Sequence, residues 1–211
     1  MTLDAWIQLA VAVGTLAVAV LAIWGDQVRH LLDLGPHLNL SLHEPSGELV
    51  DIPEADGTTT QARYYHLRVN NSHRWTLATN VRLVIIGLAR PAADGALILQ
   101  PLIGPQQLMW RQASHHTTFS VVGPDDFCDL GYLKRGEHFR LTPFVPLNGS
   151  SGSVMANERI LVELRALADN AESPSIFVEI SWDGRWSEDT GEMGRHLVVK
   201  QVVLPPAPRT T

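Results

Sequence analysis

The histidines are the side chains most able to bind a metal, and the sequence has nine of them together with a single cysteine. His115 and His116 are adjacent, so on a strand they would point to opposite faces. His37 and His43 share a polar strand face but are six residues apart, too far to chelate one ion. No H-E-x-x-H sequence occurs, and no second cysteine stands at ligand spacing from Cys128. We therefore expect no metal site and no cofactor.

Cys128 is the one thiol that could act as a nucleophile. It follows Asp125 and Asp126 and precedes Asp129, and neighbouring carboxylates raise the pKa of a thiol, which is the reverse of activation. The sequence also lacks a G-x-S-x-G elbow, a P-loop and a G-x-G-x-x-G motif. We expect a structural cysteine and no catalysis by this chain. A lone cysteine cannot form an intrachain disulfide, which favours a reducing compartment.

The stretch WDGRWSEDT, which begins at Trp182, is the most distinctive segment of the sequence. Trp182 and Trp186 flank an Asp-Gly pair, and the carboxylates of Glu188 and Asp189 follow. Aromatic rings beside carboxylates can bind a protein partner, a carbohydrate or a cation. The favoured interpretation is structural, because Asp-Gly between strands is a common hairpin turn. In that hairpin Trp182 enters the core and Trp186 covers its edge.

The sequence predicts two kinds of structural element, a membrane-spanning helix and the strands of a β domain. The helix comes first in the chain. The 20 residues from Ala5 to Trp24 carry no formal charge. As a helix they extend about 30 Å, the thickness of a bilayer core. Trp6 and Trp24 lie at the two ends, where amphipathic rings favour the headgroup region. A cleaved signal peptide is the alternative, but no Lys or Arg precedes the apolar run. Residues 1–34 are predicted to be this helix and a juxtamembrane turn.

The flanks of the apolar run predict its orientation. Arg29 follows the run and no basic residue precedes it, so the positive-inside rule places the soluble part in the cytoplasm, at the inner membrane. Ala10 and Gly14 form a small-xxx-small pair, which lets two helices approach closely. They are the candidate helix–helix contact of a homo-oligomer, although an alanine-rich helix contains such pairs by chance.

Residues 35–204 are predicted to form one all-β domain. Apolar and polar residues alternate with period two in about eight segments, with turn-like links and no helix of normal length between them. This pattern predicts an antiparallel sandwich, and residues 205–211 are predicted to be a disordered tail. The predicted strands lie within 38–42, 65–69, 81–88, 119–122, 139–144, 159–165, 176–182 and 197–203. The predicted turns include 44–47, 93–95, 123–126, 148–152 and 183–184.

Two short motifs carry a resemblance to a known family. Val69-Asn70-Asn71 is followed by Ala78-Thr79-Asn80-Val81, and this strand–turn–strand pattern resembles bacterial immunoglobulin-like modules of the CARDB type. Those modules usually have Gly after the Asn, whereas Ser72 stands here. The resemblance implies an immunoglobulin-like sandwich in which an Asn bonds the turn backbone. The layout of a membrane helix followed by a sandwich also resembles uncharacterised small bacterial membrane proteins.

Charge and composition narrow the function of the domain. The formal net charge is −6, which argues against non-specific nucleic-acid binding because that requires clustered Lys and Arg. We expect a membrane-anchored interaction module that binds a protein or ligand. The alternative is a sensor or membrane-effector subunit that oligomerises through its helix. A membrane-anchored hydrolase is the least favoured interpretation.

The uncharged run from Ala5 to Trp24 predicts that the protein is found in the membrane fraction of the cell. The full-length protein should sediment with membranes and resist extraction by carbonate or high salt, because moving this helix into water exposes about 20 apolar residues. Immunoblotting of membrane and soluble fractions measures this. Full-length, unprocessed protein in the soluble fraction would contradict the membrane assignment.

Overall fold

The computed structural model describes residues 2–31, 35–73, 76–92, 94–111, 119–121, 126–147 and 151–203. The chain forms two compact units, Met1–Gly35 and Pro36–Thr211. The sequence predictions for Asp125, for His115 and His116 and for the tail 205–211 lie outside the described residues.

The first unit consists of helix α1, Leu3–Leu31. Its segment Leu3–Gly25, with a mean hydropathy of 2.3, is long and apolar enough to cross a membrane, and it is the one such helix in the described part of the chain. The hydroxyl of Thr15 donates to the carbonyl of Val11 at 2.8 Å, so this polar group is satisfied within the helix. Ala10 and Gly14 lie one turn apart in α1, and both are exposed. The predicted apolar helix is confirmed.

The second unit consists of two antiparallel sheets and one short helix. The first sheet has the order β1-β2-β7-β8-β9. In the second sheet the order is β12-β11-β10-β3-β4, and β5 and β6 also pair with β3. The strands are β1 (Leu38–Pro53), β2 (Thr59–Asn71), β3 (Ala78–Pro91), β4 (Leu97–Leu99), β5 (Gln106–Gln107), β6 (Phe119–Val121), β7 (Asp126–Lys134), β8 (Phe139–Leu141), β9 (Ser153–Val154), β10 (Glu158–Leu167), β11 (Ile176–Trp182) and β12 (Leu197–Val202), and the helix is α2 (Thr190–His196).

The inner faces of the two sheets contribute to one hydrophobic core. Alternate residues of β2 and of β10 are fully buried, as period-two alternation requires of a strand with one face in the core. The predicted mostly-β fold with two apolar sheet faces is therefore confirmed at this level. The core residues on those two strands are Tyr65, Leu67, Val69, Ile160, Val162, Leu164 and Ala166.

The domain has more strands than the predicted eight, for two physical reasons. Strands β4, β5 and β9 are two or three residues long, too short to show a period. The long strand β7, which pairs with both β2 and β8, was missed because Gly131 and several aspartates interrupt its apolar pattern. The immunoglobulin-like arrangement of eight strands is not confirmed.

The predicted turn at Glu44–Gly47 is instead a bulge inside β1. Pairing with β2 continues on both sides of it, with a register shift between His43 and Glu48. Glu44 has φ 38° and Gly47 has φ 70°, so two residues in the left-handed region absorb the extra chain length. Pro45 and Gly47 therefore lie at an irregularity within the strand, and the strand does not end there.

Gly131 of β7 is required by a close approach between strands. A Cβ atom at this position would lie 2.5 Å from the backbone oxygen of Arg140 and 2.5 Å from Cζ of Phe139. The Phe139 ring is fully buried and packs edge-on against Tyr65, with ring centroids 5.9 Å apart. The absence of a side chain at Gly131 therefore lets a core aromatic ring pack directly on the backbone of β7.

We predict that Gly131→Ala destabilises the full-length protein by about 1–3 kcal/mol, because the added methyl group must displace a backbone oxygen and a buried ring. Urea unfolding followed by tryptophan fluorescence in detergent measures the change. Gly194→Ala in α2 is the matched control, since a Cβ there meets nothing within 4 Å. It should be neutral or stabilising by up to about 1 kcal/mol. Equal effects of the two changes would contradict the packing argument.

Candidate interaction site

The segment that begins at Trp182 connects β11 to β12 through a short helix. Trp182 pairs with Leu197, so the two strands do form an antiparallel pair. Their connection is longer than the predicted two-residue turn because it contains α2. The Asp189 carboxylate accepts a hydrogen bond from the backbone N–H of Glu192 at 2.7 Å and so caps this helix. The D-x-x-E spacing of Asp189 and Glu192 is the sequence signal that could have predicted it.

The structure does not gather the four predicted partner-binding side chains into one open site. Trp182 and Trp186 are both partly buried and pack against the core. The indole N–H of Trp182 donates to the carbonyl of Arg185 at 3.0 Å. The exposed carboxylate of Glu188 pairs with Arg135 at 3.0 Å, and Asp189 caps α2. Three of these side chains thus have polar partners within the fold, and Trp186 contributes packing against the core.

Arg63 is the buried residue that holds the connection in place. Its side chain lies on the inner face of β2 and is fully buried. One guanidinium nitrogen, Nη1, donates to the carbonyls of Ser46 and Gly47, both at 3.2 Å. The other, Nη2, donates to the carbonyl of Glu188 at 2.9 Å. Arg63 therefore joins the β1 bulge to the segment before α2, and sequence reasoning missed it because an arginine in an alternating strand reads as a solvent-facing residue.

His66 lies between two carboxylates on the outer face of the first sheet. Its Nδ1 is 2.8 Å from Asp129 Oδ1, and its Nε2 is 3.4 Å from Glu48 Oε2. Arg111 also contacts Glu48, at 2.6 Å. The pairing of β2 with β7 shifts register between Tyr65 and His66, so this cluster lies at a second bulge. These contacts link β1, β2 and β7 on this face of the sheet.

Cys128 is fully buried and its thiol donates to the carbonyl of Met109 at 3.0 Å. Burial, followed by the nearby Asp129 carboxylate, raises the pKa of this thiol well above its ordinary value. Burial is thus the larger cause, whereas the sequence had suggested the acidic neighbours alone. Within the described residues, no three His, Cys, Asp or Glu side chains are grouped so that they could hold a metal ion.

An apolar cleft lies on the surface of the β domain. It consists of two adjoining cavities of about 280 and 510 Å³ that share Pro146 and Leu147 in their walls. Ile103 lines the smaller cavity and Met155 lines the larger one. We define the apolar cleft by seven lining residues and one neighbour. The lining residues are Pro101, Leu102, Ile103, Val145, Pro146, Leu147 and Met155. The neighbour is Phe144, which precedes Val145 in the chain.

Three large apolar side chains around the cleft are more than half exposed. Ile103 is 87% exposed, Val145 58% and Phe144 51%. A backbone hydrogen bond joins the two segments that carry them: the N–H of Phe144 donates to the carbonyl of Gln107 at 2.6 Å. The sequence signal for this surface was the absence of any charged residue between Gly95 and Trp110.

One wall of the cleft is fixed by an ion pair. Arg90 of β3 contacts Glu158 at 2.8 Å and also donates to the carbonyl of Ser153. Glu158 accepts the backbone N–H of Met155 at 3.0 Å. This backbone hydrogen bond and the Arg90 charge together hold the pKa of the Glu158 carboxyl below its ordinary value. The loop that carries Met155 is therefore anchored to β3 and β10.

The cleft is concave and largely apolar, and polar side chains lie at its rim. His138 and Arg140 line the larger cavity beside Leu141 and Met155. A concave apolar surface with a few polar groups at its rim is suited to holding apolar side chains of a ligand or partner.

Comparison with protein-family models, with curated proteins and with solved structures finds no match to this chain.

We predict that Arg63→Met destabilises the protein by about 2–4 kcal/mol, because the carbonyls of Ser46, Gly47 and Glu188 lose their donor inside the protein. Arg135→Met is the matched control, since Arg135 contacts the same Glu188 but is exposed. It should cost less than about 1 kcal/mol. Urea unfolding of both variants in detergent measures the difference. Equal small effects would show that the buried guanidinium does not hold the connection.

Proposed function

We propose that the chain is a membrane-anchored interaction module without catalysis of its own. In this proposal α1 anchors the protein and the β domain binds an apolar segment of a partner protein in the apolar cleft. The observation that carries it is the exposure of Ile103, Phe144 and Val145 beside the two joined cavities. Large apolar side chains grouped at a concave surface gain free energy when a partner removes them from water.

The proposal includes a location and a family. We place the protein in the inner membrane of a bacterium with the β domain in the cytoplasm. Arg29 after the apolar run and the single cysteine support this side of the membrane.

An immunoglobulin-like identity of the CARDB type is the proposed family. The side-chain oxygen of Asn71 accepts the backbone N–H groups of His37 and His73, at 2.9 and 3.1 Å. This is the role that the family resemblance implies for an Asn at the end of the strand. Ala78, which begins β3, is fully buried, as expected where the next strand starts close to its neighbour.

Photo-crosslinking in intact membranes tests the proposed site. A photoreactive amino acid is placed at Val145 in the cleft or at Val50 in β1, which is 36% exposed and serves as the control position. We expect a discrete adduct from position 145 and none from position 50. The adduct should fall severalfold when Ile103→Asp is added, because a carboxylate cannot be buried in an apolar contact. Val50→Asp should leave it unchanged.

Three results would contradict the proposal. One is equal labelling from positions 145 and 50. Another is an adduct at position 145 that persists in the Ile103→Asp variant. The third is an adduct whose mass equals two copies of this chain, because the proposed occupant of the cleft is a different protein.

A further inference from the structure

Strand β4 ends the second sheet and its side chains are exposed. In the order β12-β11-β10-β3-β4 it has a partner strand on one side only among the described strands. Leu97, Ile98 and Leu99 are 47, 55 and 77% exposed. In an antiparallel pair, alternate residues direct their N–H and C=O groups away from the partner. The outer edge of β4 therefore presents both backbone hydrogen-bonding groups and apolar side chains.

The long strands at two other sheet ends carry charges, which are one of the features that protect a sheet edge. Strand β12, at the opposite end of the second sheet, has the exposed Lys200. Strand β1, at the end of the first sheet, has Glu48 and the exposed Asp51. No charged residue occurs between Gly95 and Trp110, so β4 lacks this protection. Such an edge is suited to accepting another strand.

The sequence of β4 is compatible with pairing to itself. If two copies pair antiparallel about a twofold axis at Ile98, then Ile98 faces Ile98 and Leu97 faces Leu99. Next to the strand Ala96 faces Gln100, so no like charges stand opposite each other. A self-complementary, uncharged edge favours a second copy of this chain over a partner with a charged strand.

We propose that two copies of this protein associate through β4, paired antiparallel about Ile98, so that their second sheets join into one continuous sheet. This association is separate from partner binding in the apolar cleft and goes beyond the proposed function. A pair of three-residue strands is short. Anchoring of both chains in one membrane through α1, which is part of the proposed function, compensates in part, because confinement to one surface raises their effective concentration.

Disulfide trapping in isolated membranes tests the pairing and its register. The full-length chain carries Ile98→Cys, or Val50→Cys as the control at another exposed apolar position. Cys128 is retained because it is fully buried. Directly opposite residues in an antiparallel pair have Cβ atoms within disulfide reach. Under mild oxidation we expect at least about tenfold more dimer from Ile98→Cys than from Val50→Cys.

Register gives a second measurement. Leu97→Cys and Leu99→Cys should each form little dimer alone, and should crosslink when the two variants are expressed together, because each faces the other across the axis. Equal trapping at positions 98 and 50 would reflect collisions and overturn the proposal. A Leu97→Cys homodimer as abundant as the mixed dimer would also overturn the proposal, because it would contradict the predicted register.

Energy transfer between co-expressed labelled chains separates β4 from the other surfaces. Ile98→Lys should lower the transfer severalfold, because two lysines would then face each other. Val50→Lys should not lower it. Transfer that is unchanged by Ile98→Lys but lost in Gly14→Leu would assign the association to α1 and overturn the proposal. Ile103→Asp should leave the disulfide at position 98 intact, so failure of the cleft and failure of the β4 pair are distinguishable.

Discussion

Side chains from two antiparallel sheets meet in a single core, and this burial is the constraint on which the domain depends. Tyr65, Leu67 and Val69 of β2 lie in the same cluster as Ile160 and its neighbours on β10. Removing apolar surface from water supplies most of the free energy that opposes the entropy of ordering the chain. Side chains therefore alternate along much of the strand length that faces the core, and a charged side chain on the inner face needs a local compensation.

Arg63 shows one such compensation. It lies on the inner face of β2, where its neighbours are apolar, so a charged group has been removed from water. Carbonyls of the β1 bulge and of the connection before α2 replace the lost hydration. The bulge is thus more than an irregularity, because it brings the carbonyls of Ser46 and Gly47 to the guanidinium. A second bulge places His66 between Asp129 and Glu48 on the opposite face of the sheet.

The edge strand β4 and the apolar cleft lie outside this shared core, and both include residues of the uncharged stretch between Gly95 and Trp110. Strand β4 extends the sheet beyond the core, and the loop after it forms one wall of the apolar cleft. The packing of the domain does not require Ile103 or Leu99 to be apolar, since both are largely exposed. Their exposure supports the proposed association with other chains.

The sequence by itself determined the apolar N-terminal helix and most of the long strands. These features depend on composition and on the period with which apolar residues recur. Both can be read from a short segment of the sequence without knowledge of the fold. Only the tertiary structure decided that Arg63 is buried, that the turn at Glu44–Gly47 is a bulge and that β7 is a strand. In each case the deciding contact joins residues far apart in the chain, such as Arg63 and Glu188. The apolar cleft belongs to the same class, because Ile103 and Val145 meet only when the loops after β4 and β8 are brought together by backbone hydrogen bonds that no local pattern encodes.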